Sequence, residues 1–370
     1  MQLCQSCNSA NGSSFALGQC HLCNGKAMET DRMIEESAAL LSKEEAASFS
    51  ISTSIPKEWL VREEDVWDIG MRNARSVKDQ LNRKISSALQ RASSLPYNAD
   101  GDCRLVFDYQ NCTVRLERNE LFIFGRYRKL VVGLSQSRWL CAKCEGKGCK
   151  ACEGKGKNYE SVEERIGEPV KRAAEAADYV LHASGREDVD ATNTAGRAFV
   201  LEIKNPKKRK FDLDSLAGEI AATKEVSVSD LMVVRRSDVE LVTESHFDKE
   251  YEAEVEFGKE LAEKDTEAIG SLSGITILQQ TPKRVAHRRA NLVRHRKVKS
   301  LAVERSGGKS ATIKIMAEAG TYIKELISGD GGRTKPSIAE LLGTTAECRK
   351  LNVSKIDDGF LDFILKQKEF

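Results

Sequence analysis

Between Tyr251 and Phe257 the chain alternates without a break: Tyr251, Ala253, Val255 and Phe257 fall on one side, Glu252, Glu254 and Glu256 on the other. A period of two is a strand with one buried face, and it turns Tyr251 inward with the apolar set. An ordinary core tyrosine satisfies that pattern as well as a functional one does. Apolar runs at 104–108, 121–124, 199–203, 231–234, 239–242 and 312–317 predict further strands. Helical spacing covers 35–48 and 66–92. Pro169 predicts the first residue of a helix reaching Leu181, and 336–342 reads as a short helix. No internal repeat is apparent.

Composition narrows this picture. The 370 residues leave room for two or three domains. No apolar run approaches the ~20 residues that cross a bilayer. The opening Met1-Gln2-Leu3-Cys4 lacks the charged-then-apolar layout of a secretory signal, so a cytoplasmic chain is expected, and a monomer is the working assumption. The formal net charge of +2 hides strong patterning: 281–300 holds eight Lys/Arg and no acid, whereas 238–267 is acid-rich. Such asymmetry points to a polyanion met by one face.

Eleven cysteines in an unsecreted chain point to metal rather than disulfides. Cys4-x2-Cys7 and Cys20-x2-Cys23 form one quartet; Cys141-x2-Cys144 and Cys149-x2-Cys152 form a tighter one, interleaved with glycines. Four thiolates close a tetrahedral Zn²⁺ site with no open position, so both quartets read as structural. Reduced, unliganded thiols are the bland alternative. Cys103, Cys112 and Cys348 stand apart and read as small core residues. These marks divide the chain into a zinc-binding module at 1–26, a compact α/β unit at 27–135, a second Cys4 linker at 136–158 and a larger domain at 159–370.

The candidate chemistry centres on Gly185-Arg186-Glu187-Asp188-Val189-Asp190, which leads through a polar loop into the strand at 199–203. An acid displayed on a loop entering a sheet is well placed to react; pairing with Arg186, or capping a turn, is the structural alternative. No Walker loop, Ser/His/Asp arrangement or dinucleotide fingerprint is present, so no organic cofactor is expected. Three basic patches follow: Arg126, Arg128 and Lys129; Lys207, Lys208 and Arg209; and Arg284, His287, Arg288 and Arg289. Cations of this kind neutralise phosphates, and three patches suit a long, folded RNA better than a small anion.

The residues resemble the archaeal type of family-ten tRNA pseudouridine synthases, over nearly the whole length. The resemblance rests on the N-terminal quartet, Gly125-Arg126-Tyr127-Arg128-Lys129, Gln136-x-Arg138-Trp139 and Gly185 to Asp190. It extends to Glu202-Ile203-Lys204-Asn205-Pro206-Lys207, to 280–289, and to Gly320-Thr321-Tyr322-Ile323-Lys324-Glu325 running on to Ser337. It implies an α+β, multidomain fold: a catalytic domain with a mixed, mostly antiparallel sheet, and a THUMP-like α/β accessory domain. It implies isomerisation of uridine in the T arm of tRNA, at position 54 or 55 or both. Asp188 would be the catalytic acid, Tyr251 the ring stacked on a flipped base, and Lys324 the cation beside the aspartate. Arg186, Arg197 and Arg333 would join the RNA surface. One departure stands out: the family's Arg-Met-Leu-Gly-x-Gly-Arg-Pro-Phe after the acid is here Thr192-Asn193-Thr194-Ala195-Gly196-Arg197-Ala198-Phe199, shorter by a residue.

Two other readings remain at this level. One is a non-catalytic tRNA-binding or tRNA-folding protein on the same fold. The other is a zinc-dependent chaperone, since 141–148 is similar to a chaperone cysteine-rich repeat that normally occurs in four copies.

Overall fold

The structure, a computed structural model, describes residues 1–11, 15–68, 76–286, 290–359 and 361. The chain separates into two compact units.

The first unit comprises Met1–Leu121, Lys171–Tyr179 and Ile203–Phe211. Strand Cys103–Asp108 lies between Phe49–Ser54, parallel to it, and Thr113–Arg118, antiparallel. Helix Val77–Ser93 buries Val77, Leu81, Ile85 and Leu89 at four-residue intervals, one apolar stripe along the helix. Burying a side chain such as Leu81 contributes about 1.5–3 kcal/mol. The Ser76 hydroxyl caps this helix by accepting from the Asp79 N–H. Phe49, Leu105 and Phe107 share the core with Cys4, Cys7, Cys20 and Cys23. The helical run expected over 66–92 is divided between Lys57–Asp68 and Val77–Ser93, with 69–75 outside the described residues.

The second unit is built on a ten-stranded sheet. Its order is Val226–Val234, Leu121–Lys129, Thr192–Lys204, Ala346–Ile356, Lys249–Phe257, Ser310–Ala317, Val293–Gly307, Thr276–Gln280 and Thr334–Lys335, with Asp178–Ala183 also paired to Thr192–Lys204. The central strand Lys249–Phe257 runs antiparallel to both neighbours, whereas Thr192–Lys204 meets Ala346–Ile356 in parallel. Tyr251, Ala253, Val255 and Phe257 are buried with Ile313, Ile315 and Val353. Glu252, Glu254 and Glu256 are exposed on the other face, as strict alternation requires.

Several elements differ from the sequence expectation. Residues 239–242 lie in helix Ser237–Thr243, because Val239 and Val242 are spaced for a helical face as readily as for a short strand. Pro169 sits inside helix Val162–Ala173, and Asp178–Ala183 is a strand. Strand Leu121–Lys129, grouped by sequence with 27–135, is hydrogen-bonded into the larger sheet. The segment after Asp190 is no loop: it is the first half of strand Thr192–Lys204.

There is also a repeat. Cys141 to Gly148 and Cys149 to Gly156 both read C-x-x-C-E-G-K-G. The two copies share their backbone as well, with positive φ at Glu145, Gly146 and Gly148 and again at Glu153, Gly154 and Gly156. An ideal Cβ at Gly148 would fall 2.6 Å from the Gly154 carbonyl oxygen, and one at Gly156 would overlap that of Gly146. The two turns therefore pack backbone against backbone, which only glycine permits.

Candidate active site and metal centres

The Asp188 loop is held from beneath. After strand Asp178–Ala183 the chain turns at Gly185, whose φ of +81° and whose distance of 3.0 Å from an ideal Cβ to the Arg197 guanidinium both favour glycine. Strand Leu121–Lys129 supplies the support. Its period of two sends Tyr127 and Lys129 inward and leaves Arg128 exposed. The Lys129 ammonium donates to the carbonyls of Leu134, Asp188 and Val189 at 2.8, 2.9 and 3.1 Å. Burial pulls its pKa down, against the opposing pull of Glu187, Asp188 and Asp190. The Tyr127 hydroxyl donates to Glu187 Oε1 at 2.8 Å. Gln136 Nε2 donates to both that hydroxyl and the Gly185 carbonyl, each at 2.8 Å. Glu187 Oε2 accepts from Arg197 Nε at 2.7 Å, and Arg197 also donates to the Ser184 carbonyl.

Above this support Asp188 is half-exposed. Arg284 NH1 lies 2.9 Å from each of its carboxylate oxygens. The same guanidinium donates through Nε to Glu325 at 2.6 Å and sits 6.0 Å from the Tyr322 ring centroid. Lys324 Nζ is 3.8 Å from Asp188 and 2.5 Å from Asp190. Burial raises the Asp190 pKa, but the hydrogen bond and charge of Lys324 outweigh it and leave the carboxyl below its ordinary value. Tyr251, 9% exposed, lies within electrostatic reach of Asp188, Glu187 and Arg197; burial drives its phenol up to about 12. Helix Ile323–Ser328 places Lys324 and Glu325. Its start is fixed by Gln279, which donates to the Tyr322 carbonyl and accepts from the Tyr322 N–H, both at 2.9 Å.

The structure brings Asp188 and Lys324 together, with Tyr251 within electrostatic reach of Asp188. The nearest cation on Asp188 is Arg284, which the sequence placed on RNA; Arg186, the alternative partner, is exposed. Lys129 and Arg197, also expected on RNA, are 0% and 1% exposed and hold protein groups instead. Arg126 pairs with Asp358 and Asp230, and Arg333 donates to the Thr281 carbonyl. In the first unit, Arg209 pairs with Asp102 and Lys208 with Glu175, while Lys207 is exposed. Arg128 is exposed and donates to the Thr194 carbonyl. His287, Arg288 and Arg289 lie outside the described residues. Glu187, Gln136, Glu325 and Gln279 were not singled out as site residues in the sequence; the first three lie inside the motifs quoted there, and Gln279, on strand Thr276–Gln280, directly precedes another.

Both quartets can hold a metal ion: in each, the four sulfurs lie within 4.8 Å of one another. A tetrahedral site with Zn–S of about 2.3 Å requires sulfurs about 3.8 Å apart. Cys4 and Cys23 are 3.6 Å apart; Cys141–Cys149, Cys144–Cys152 and Cys149–Cys152 are 3.9, 3.8 and 3.8 Å. The Cys149 and Gly156 N–H groups donate to Cys152 Sγ, and the Cys149 bond leads in lowering that thiol to about 6. The donor sets fit the ion.

An acid paired with two cations, within electrostatic reach of a buried tyrosine and beside a mostly antiparallel sheet, has counterparts among known proteins. The profile of the family described as "Pus10, C-terminal" matches residues 122–357, the sheet and the whole Asp188 site. The class is therefore pseudouridine synthase, an isomerase. A relative from Korarchaeum cryptofilum named "tRNA pseudouridine synthase Pus10" is 38% identical, covering 92% of this chain and 93% of the relative. One of the same name from Archaeoglobus fulgidus is 37% identical, covering 95% and 99%. The chain belongs to the Pus10 family of tRNA pseudouridine synthases. Among solved structures, one described as "Crystal Structure of a Cbf5-Nop10-Gar1 Complex" matches 50% of this chain and 43% of that chain at 20% identity, with a TM-score of 0.32.

Proposed function

We propose that the chain isomerises uridine to pseudouridine in the T arm of tRNA, at position 54 or 55 or both, with Asp188 as its catalytic carboxylate. The observation that carries this reading is the place of Asp188: 2.9 Å from Arg284 and 3.8 Å from Lys324, in a chain whose relatives are named tRNA pseudouridine synthases. The reaction breaks the bond from C1′ to N1 and makes one from C1′ to C5. The C5 proton leaves and N1 gains one, so product and substrate have the same formula and no oxidant or energy source is consumed. A carboxylate serves either as nucleophile or as base in this sequence. Lys324 and Arg284 hold it in place. A target base in a folded T arm must be flipped out, and the Tyr251 ring then replaces its lost stacking.

Each cysteine quartet binds one structural Zn²⁺ in this reading. The portion of 27–135 within the first unit serves as the THUMP-like RNA-binding domain. Exposed cations such as Arg128, Arg186 and Lys207, together with Arg288 and Arg289, meet phosphates.

Asp188→Asn tests the assignment. It removes the charge at nearly constant volume, so turnover should fall below detection while tRNA affinity stays near wild type. Release of tritium from C5-labelled uridine in an unmodified transcript reads the reaction directly. Activity within tenfold of wild type would shift the role to Asp190, the other acid held by Lys324.

A further inference from the structure

The buried lysine under the catalytic loop has a task beyond filling space. Lys129 is 0% exposed, a costly place for an ammonium unless its donors are all satisfied. They are: three donors meet three carbonyls, and two of these belong to consecutive residues, Asp188 and Val189. Fixing two successive carbonyls toward one buried point sets the orientation of two peptide planes. With both carbonyls turned inward, the Asp188 side chain leaves the loop on the open side, where Arg284 and Lys324 receive it. The third carbonyl, of Leu134, ties the same ammonium to the segment 130–136, whose Gly133 N–H donates to the Val189 carbonyl at 2.8 Å. Gln136 then grips the other end of the loop at Gly185. The loop is pinned at both ends and under its centre.

We infer that Lys129 is a positioning residue for Asp188: it acts through the backbone of the catalytic loop and does not touch RNA. An apolar side chain of the same length would take this shared donor from all three carbonyls, leaving the Asp188 carbonyl to the Ala191 N–H and the Val189 carbonyl to the Gly133 N–H, with nothing to hold the two toward one point. A displacement of about 1 Å at a reacting group costs on the order of a hundredfold in rate. This inference rests on the reading of Asp188 as the catalytic carboxylate.

The test compares Lys129→Met and Lys129→Arg with the metal-loaded wild-type protein. Single-turnover rates at saturating unmodified tRNA transcript, dissociation constants at several salt concentrations, and thermal melts are measured together. For Lys129→Met the rate should fall about a hundredfold with the dissociation constant and its salt slope unchanged. Lys129→Arg, which keeps the charge and the donors, should recover part of the rate. A folded Lys129→Met with a rate within threefold of wild type overturns the inference and leaves Lys129 a purely structural residue. Weaker binding with a shallower salt slope and an unchanged rate overturns it in favour of a phosphate contact. Should Lys129→Met not fold, Lys129→Arg decides: the longer, planar guanidinium cannot meet three convergent carbonyls as the ammonium does, so a rate below wild type at an unchanged dissociation constant supports the inference and a rate within about threefold of wild type overturns it. A wild-type protein that forms no pseudouridine would instead sink the functional reading itself.

Discussion

Glu187→Gln isolates one buried charge next to the candidate acid, Asp188. Glu187 and Arg197 form an ion pair of 2.7 Å with side chains 2% and 1% exposed. Burial lowers the Arg197 pKa, and Glu187, together with Tyr127 and Tyr251, more than offsets that, so the guanidinium titrates above its ordinary value. Glutamine keeps the shape and an oxygen for the Tyr127 hydroxyl but leaves Arg197 without its counter-charge. Breaking a buried pair from one side costs about 3–5 kcal/mol, a large fraction of the roughly 5–15 kcal/mol that holds a domain together. At about 2–4 °C per kcal/mol for a unit of this size, the melting temperature should drop by about 6–20 °C. Circular dichroism melts at pH 7 measure it, repeated at low and high salt. Screening acts on exposed charges, so the loss should be the same in both. Adding Arg197→Met removes the stranded charge and should restore at least half of the stability. A drop below about 3 °C, or one that disappears at high salt, is too small or too screened for a broken buried pair. It would show that Arg197 is solvated and free to meet RNA.

Two further predictions test other parts of the chain. Elemental analysis should find two Zn²⁺ per chain, and Cys4→Ser or Cys20→Ser should destabilise the first unit; no zinc with all eight thiols freely reactive would refute both sites. Burial, and then Arg197, pull Lys249 down from 10.5 to about 8. The folded state therefore resists a proton that the unfolded chain accepts, so this residue contributes stability that rises between about pH 8 and 10 and a constant penalty below that window. Lys249→Met should stabilise the protein at pH 7 by up to about 3 kcal/mol and flatten that rise; denaturant titrations giving both proteins the same pH dependence would count against it.

What the sequence revealed and what it hid have distinct physical origins. The alternation at 251–257 and the spacing of the cysteines are local patterns, and both appear in the structure as strand Lys249–Phe257 and two four-sulfur clusters. The start of strand Thr192–Lys204 was hidden because Thr192 and Asn193 pair there with Asn352 and Val353, far along the chain. The buried cations were hidden for another reason. A Lys or Arg reads as surface by composition, yet Lys129 shares its strand phase with the buried Ile123 and Tyr127, and that phase was the available signal.

The basic segment 281–300 shows how charge counting misleads when the partners are non-local. By composition its cations suit two partners, RNA or the acidic stretch from Glu252 to Glu263. In the structure those acids look elsewhere: Glu254 pairs with Lys350 and Glu256 with Arg349, on the adjacent strand. The cations divide among several tasks. Lys299 pairs with Asp248, Arg294 donates to the Thr281 hydroxyl, and the Arg296 guanidinium packs on Gly320. Among the described residues, Arg284 links the segment to the candidate acid, and it does so while anchored to Glu325, whose side chain is 6% exposed. Leaving the site for a phosphate would take the guanidinium from the buried Glu325 and leave Asp188 with Lys324 alone of its two cations, so in the RNA-free protein the guanidinium belongs to the site. Any salt-dependent grip that this segment exerts on RNA must then come from its other cations.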